Sequence, residues 1–315
     1  MIAEPVPDEK FAKAIAQKVV GEVPVSVHRF MTGSHHYVFE AAFSNNAPMV
    51  VRIAAEHSRA AMIGASILSH SLRPLGVPLP KIIAEDLRAE FAYVVLERLP
   101  GRDLRDVIEN ISNGKLRAIA ERIVAAQNIV SRTPSAGRFG YAVAPGDAPR
   151  ESWSQVLDDS IIRSRERIVS ARIFDTEFAD RAAASVDEMR RVLDRLPSTP
   201  FLHDTTIKNV IVTDDGMFSG IVDVDDLCFG DPRYVVALTL AALRNANAST
   251  HYIDEWMGLA GFAEDRIFRL YVTLFILDFM SEVGQKFNDN PSPSSSSNRE
   301  HLVKLFGECL DGISG

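Results

Sequence analysis

The chain has 315 residues, 46% of them hydrophobic, too many for a single small core and enough for two lobes or one large domain around a cleft. Its formal charge of −8, with no long run of Lys or Arg, argues against a nucleic-acid partner and fits a neutral or cationic small molecule. Two cysteines, Cys228 and Cys309, are too few for a disulfide framework and point to a reducing compartment.

At the N-terminus, MIAEPVPDEKFAKAIAQKVV mixes charges with short apolar steps. It reads as an amphipathic surface helix and lacks the continuous apolar run of a signal peptide. Three runs rich in β-formers follow, Val25 to Met31, Tyr37 to Phe43 and Met49 to Ile53, separated by TGSHH and SNNAP. Ser58 to Leu75 has helical character, GVPLPKII leads into a fourth strand and FAYVVLERL forms a fifth. From Asp103 the pattern changes to helical periodicity over Leu116 to Ser131, Trp153 to Val169 and Thr176 to Leu196, and again over Tyr234 to Ala246, His251 to Leu259 and Glu264 to Gly284. FNDNPSPSSSSNRE is a low-complexity loop, expected to be mobile. No apolar stretch reaches the ~18 residues of a bilayer span, and the longest, around Tyr271 to Met280, is interrupted by Asp278. The expected protein is cytoplasmic, with no membrane partner.

Between the helices lies FLHDTTIKNVIVTDDGMFSGIVDVDD, residues 201 to 226. Asp215-Gly216 is a strong turn signal, and folding there sets Thr213 near Phe218 and Val210 near Ile221. Asn209 then falls beside Val222 and Asp223, with Asp204 on the loop that feeds the first strand. A carboxylate and a carboxamide oxygen at one strand end suit Mg²⁺, and a second carboxylate a loop away can accept a proton from an attacking hydroxyl. The plainer reading is a hairpin whose polar ends face water.

HDTTIKN followed by GIVDVDDLCFGDPRY resembles the catalytic and metal-binding segments of the aminoglycoside phosphotransferase family, which shares the protein-kinase-like fold with choline kinases. The resemblance implies an α+β fold of two lobes: a β-rich nucleotide-binding lobe over residues 1–99 and a mainly helical lobe over 100–315 with the catalytic loop and acceptor pocket. It also implies an enzyme, an ATP- or GTP-dependent kinase that moves the γ-phosphoryl to a hydroxyl of a small molecule such as an aminoglycoside, sugar or amino alcohol. Asp204 would be the catalytic base, and Asn209 and Asp223 the Mg²⁺ ligands. FMTGSHHYVFEAAF resembles the phosphate-covering loop, in which Gly33 and Ser34 would offer backbone N–H groups. MVVRIA resembles the third strand, so Arg52 would contact phosphate, and the backbone near Glu97, Arg98 and Leu99 would hydrogen-bond adenine. Lys208 either neutralises the transferring phosphoryl group or is a solvated cation. The expected assembly is a monomer or homodimer.

Departures from the family pattern are equally legible. The helix after Arg52, RAAMIGASILSHSL, has no acid where the family usually places a Glu to hold this cation, and Glu56 reaches Arg52 only if its loop folds back. Arg52 is otherwise expected to act unpaired. The family's His-Gly-Asp is Leu202-His203-Asp204 here, which moves the histidine next to the base. Val235 and Val236 stand where an Asp often follows Gly-Asp-Pro, so the next helix is expected to be anchored by packing alone. His35 and His36 point to opposite faces of a strand and read as no metal site. Asp225 and Asp226 either face a cationic substrate or cap their loop, and Cys228 reads as structural. The missing acid and shifted histidine motivate the alternative, a catalytically inactive nucleotide-binding kinase-like protein.

Overall fold

Asp8 starts the first helix, α1 (Glu9–Val20), by accepting a hydrogen bond from the Phe11 amide at 2.9 Å, and Gly21 ends it at φ 80° in the left-handed region. The computed structural model describes residues 6–30, 36–287, 290–291 and 295–314. Gly33, Ser34 and His35 lie outside the described residues, as does part of the serine-rich loop. After α1 come β1 (Ser26–Arg29), β2 (His36–Ala42), β3 (Met49–Ala54), α2 (Arg59–Leu72), β4 (Ile82–Asp86) and β5 (Tyr93–Glu97). The strands form one antiparallel sheet in the order β1-β2-β3-β5-β4. Ala12, Ile15 and Ala16 of α1 pack with Phe39, Val51 and Val95. Met62 of α2 packs with Ala54, Ala92 and Val94 on the opposite face, as alternation along a strand requires.

The chain then enters β6 (Arg102–Asp103), α3 (Asn113–Val130), β7 (Gly140–Ala142), α4 (Trp153–Ala171), α5 (Glu177–Leu193), β8 (Thr199–Phe201), β9 (Val210–Val212), β10 (Phe218–Ile221) and β11 (Leu227–Gly230). It closes with α6 (Arg233–Asn245), α7 (His251–Ala260), α8 (Arg266–Glu282) and α9 (Ser296–Ser314). Two small sheets, β10-β9-β6 and β7-β11-β8, carry the loops between the helices. The pairing of β7, β8 and β11 has no local sequence signal because each strand is three or four residues long and finds its partners far along the chain. The last helix, α9, was not expected: it begins inside the serine run, where Ser295 Oγ caps the Asn298 amide at 3.1 Å. Leu302, Leu305, Phe306, Cys309 and Ile313 give it a helical apolar stripe buried in the main core. Leu68 and Leu72 of α2 and Val77 and Leu79 beyond it join that same core, tying the five-stranded region to the helices.

Gly230-Asp231-Pro232 has a packing reason. A Cβ on Gly230 would stand 2.2 Å from Trp153 Cζ3. That ring is fully buried, and its indole N–H donates to Tyr271 Oη at 2.7 Å. Tyr271 in turn donates to Asp231 Oδ2 at 2.9 Å, and Arg233 donates to the same carboxylate from Nε at 2.9 Å and Nη2 at 2.6 Å. Arg233 also reaches Asp265 at 2.7 Å, so α6 is held by ion pairs at its first turn and not by packing alone. Because Trp153 is fixed from both sides, Gly230→Ala is expected to destabilise the protein by about 1–3 kcal/mol through overpacking. The measurement is a lower urea midpoint with an unchanged slope.

Candidate active site

The hairpin forms where Asp215-Gly216 places it. Gly216 takes φ 77° and donates its amide to Thr213 O at 2.8 Å. Val210 faces Ile221, as expected, whereas Phe218 faces Val212 and not Thr213. An irregularity between Phe218 and Gly220 absorbs the offset, so the register at the site end is the one the sequence implies. The Val222 amide donates to Asn209 O at 2.9 Å, which brings Asn209 and Asp223 to one end of the hairpin. Asp223 adopts φ 64°, one of three non-glycine residues in the left-handed region among the described residues. Such strain persists where the surroundings hold it, and it turns the Asp223 carboxylate out of the strand.

Asp204 is fixed from several directions. Buried Gln127 on α3 clamps the loop before it: Gln127 Oε1 accepts from the Leu202 amide at 3.0 Å, and Nε2 donates to Leu202 O at 2.9 Å and Thr205 Oγ1 at 3.0 Å. Asp204 Oδ1 accepts from Thr206 Oγ1 at 3.0 Å, and Lys208 Nζ lies 3.2 Å from Oδ2. Burial alone would lower the Lys208 ammonium, but the Asp204 carboxylate outweighs it and raises Lys208 above its ordinary value. Asn209 Nδ2 donates to the Asp204 carbonyl at 2.9 Å, so one carboxamide joins the Asp204 loop to the hairpin end. His203 Nε2 lies 2.5 Å from Asp226 Oδ1, and its ring meets Tyr141 edge-on at 4.9 Å. The shifted histidine therefore has a partner of its own, and Asp226 serves it.

Arg52 is not unpaired. Its Nη2 donates to Asp223 Oδ1 at 2.8 Å and to Asp225 Oδ1 at 3.0 Å. Asp225 Oδ2 meets His36 Nε2 at 2.9 Å, so a histidine that reads as having no part in the site belongs to it. Asp225, expected to cap its loop or face a cationic substrate, instead has both carboxylate oxygens on Arg52 and His36. Burial pushes its carboxyl up, yet the Arg52 guanidinium and the His36 bond outweigh that and hold it well below the usual carboxylate range. Glu56 does not fold back to Arg52; it pairs with Arg59 at 2.6 Å. The missing helix acid is thus replaced from another part of the chain.

The segment entering the second lobe crosses the hairpin closely. Gly101, at φ 104°, would put a Cβ 1.9 Å from Val212 O, and a Cβ on Gly220 would lie 2.7 Å from Leu99 Cδ1. The Ile221 amide donates to Pro78 O at 2.9 Å, locking the hairpin to the strand connection. Glu97 has its own amide committed to Lys81 O at 2.9 Å and its carboxylate to the Lys81 amide at 2.7 Å. Of the three expected adenine contacts, N–H donation is therefore left to Arg98 and Leu99.

A family model described as the phosphotransferase enzyme family matches residues 27–267. The chain belongs to that family. Hygromycin-B 4-O-kinase of Escherichia coli is 24% identical over 177 residues, 51% of this chain and 47% of that protein, so the chain spans about half the length of the curated relative it matches. Among solved structures, the GDP complex of wild-type aminoglycoside 2'-phosphotransferase-IIIa aligns with TM-score 0.66 at 17% identity, covering 97% of this chain and 99% of that one. A thermostable mutant of aminoglycoside phosphotransferase APH(4)-Ia with ADP and hygromycin B aligns with TM-score 0.64 at 16% identity, over 96% and 97% of the two chains. The streptomycin–ATP complex of APH(2")-IIa gives 0.65 at 12% identity, over 98% and 97%. At these identities the alignments establish the two-lobed protein-kinase-like fold.

In this phosphotransferase-family chain the hairpin end offers hard oxygens. Asn209 turns its amide nitrogen to Asp204 O, leaving Oδ1 as its donor atom, and Asp223 has one oxygen on Arg52 and is half-exposed. Among the described residues no group of three or more His, Cys, Asp or Glu forms a ready metal cage. Two oxygens fit an ion that keeps water and substrate phosphates as its other ligands, as Mg²⁺ does. Across the cleft, Asp278 on α8 is shared by Arg163 at 3.5 Å and Arg167 at 3.3 Å from α4. Glu282, one turn on, is raised above its usual range by burial and by the nearby Asp278 carboxylate, against the pull of Arg167, Lys208 and Arg163. Gln127 and the Arg52–Asp225–His36 chain escape sequence reading because their partners lie 75 to 189 residues away.

Proposed function

We propose that the chain transfers the γ-phosphoryl group of ATP or GTP to a hydroxyl of a small molecule, with Mg²⁺. The observation that carries this is the single Asn209 side chain that ties the Asp204 loop to the Asp223 end of the hairpin. Asp204 accepts the proton of the acceptor hydroxyl, and Lys208 beside it stabilises negative charge at the transferring group. Asn209 and Asp223 hold the ion, which when bound neutralises the nucleotide phosphates. Arg52 contacts those phosphates, Gly33 and Ser34 cover them, and the Glu97 carbonyl with the Leu99 amide takes adenine. We read residues 1–99 as the nucleotide lobe and 100–315 as the lobe with the catalytic loop and acceptor pocket. Relatives named as hygromycin-B and aminoglycoside kinases, some carrying ADP, ATP or GDP, support both substrate classes.

Cys228 and Cys309 are buried and free, which supports a reducing cytoplasm. No described helix is long and apolar enough to cross a membrane. The inactive-protein alternative drew on the absent helix acid and the shifted histidine, and both have counterparts in Asp225 and in the His203–Asp226 pair.

Nucleotide that binds only the folded state stabilises it by mass action. Mg·ATP or Mg·GTP at about 100 times its Kd is expected to add ~2.7 kcal/mol, or about 5 °C in Tm. Incubation with a panel of hydroxyl compounds should then yield a phosphorylated product by mass spectrometry. No stabilisation by either nucleotide, together with no product from any alcohol, would overturn the reading.

A further inference from the structure

We propose that Asp225, held by His36, is the positioning residue that keeps Arg52 over the nucleotide phosphates and thereby frees Asp223 for the metal. The inference rests on the phosphotransferase reading and extends it to residues that reading does not use. Arg52 is 8% exposed and divides one nitrogen, Nη2, between two carboxylates at 2.8 and 3.0 Å. The two acids differ in setting. The Asp223 side chain is 45% exposed and stands in a strained left-handed conformation at the hairpin end, whereas that of Asp225 is 21% exposed and has its second oxygen on buried His36. A cation held by the other Asp223 oxygen would share that carboxylate's charge with Arg52. With Asp225 in place the buried guanidinium keeps a hydrogen-bonded counter-charge, and without it Arg52 competes with the ion for Asp223.

Helix α2 is built around this arrangement. Its residues facing the same narrow cavity as Arg52 are Met62, Ala65, Ser66 and Ser69, none of them acidic, and Ser66 spends its hydroxyl on Glu85 at 2.6 Å. Gly64 lets the helix approach the Asp225 backbone, since a Cβ there would lie 2.5 Å from Asp225 O. The carboxylate for Arg52 thus comes from the loop that also carries Asp223, against which α2 packs at Gly64.

The test is the Mg²⁺ concentration that half-saturates nucleotide binding, measured by calorimetry with ADP and GDP as probes. Asp225→Asn preserves shape and the bond to His36 but removes the charge, and a lost charged hydrogen bond corresponds to about a tenfold rise in the Mg²⁺ requirement. Thermal melting without nucleotide identifies folded variants. His36→Gln leaves Asp225 in place but loosens it, and is expected to raise the requirement about threefold. Adding Ala65→Glu to Asp225→Asn places a new carboxylate on the cavity face of α2, and recovery of the requirement there supports the role directly. A wild-type Mg²⁺ requirement in either folded single variant overturns the assignment of Asp225. Failure of the wild type to bind ADP or GDP at any Mg²⁺ concentration instead overturns the phosphotransferase reading beneath it.

Discussion

Asp204→Asn is expected to lower kcat by ~10²–10⁴-fold, the usual contribution of a positioned general base, while nucleotide affinity stays near that of wild type. The substitution keeps the shape of the side chain, and its amide oxygen can still accept from Thr206 Oγ1, which lies 3.0 Å from Asp204 Oδ1. Gln127 holds the loop through Leu202 and Thr205, so the backbone has no reason to move. Arg52, Asn209 and Asp223 do not touch the altered side chain, because Asn209 bonds to the Asp204 backbone carbonyl, whereas Lys208, 3.2 Å from Asp204 Oδ2, loses its paired charge and acts at the transferring group. The effect therefore separates into kcat without the nucleotide KM, measurable by steady-state kinetics on a confirmed acceptor with calorimetry of ADP binding. Wild-type turnover in this variant would mean that another group accepts the proton, and half-buried Glu282 would be the next to test.

Sequence reading reached the hairpin because its information is local. Asp215-Gly216 fixes the turn, counting back from it sets the register at the site end, and together they bring Asn209 to Asp223 even though the pairing slips at Phe218. The five-stranded sheet and the long helices were legible for the same reason, since their apolar spacing repeats within a few residues. Long-range polar contacts behave differently. His36 and Asp225 are 189 residues apart, and Gln127 and Leu202 are 75 apart. Neither His36 nor Gln127 differs in local pattern from a surface residue, so only the fold reveals its partner. Asp225 was visible as one of three acids in DVDD, but nothing local tells which faces a cation, which a histidine and which the cleft. Arg233 reads as an ordinary helix-start cation with Asp231 two residues before it, and its second carboxylate, Asp265, emerges only when α8 packs on α6.

Asp223→Asn should have a comparably large effect on the reaction and almost none on the fold. Asn tolerates the left-handed backbone at least as well as Asp, so the φ of 64° at this position carries no new strain. Arg52 keeps Asp225 at 3.0 Å, and the buried guanidinium is not left without a counter-charge. Melting in the absence of nucleotide is therefore expected within a few degrees of wild type. The hairpin end, however, loses its only carboxylate and retains two neutral oxygens for the ion. Charge stabilisation by a bound metal is worth several kcal/mol in such reactions, which corresponds to about a 10³-fold loss in kcat/KM. The extra stability conferred by nucleotide should also lose its dependence on Mg²⁺, a readout that needs no acceptor. A variant that kept both wild-type turnover and Mg²⁺-dependent stabilisation would move the metal away from Asp223. The same measurement on Asn209→Ala would then decide whether the hairpin end binds it at all.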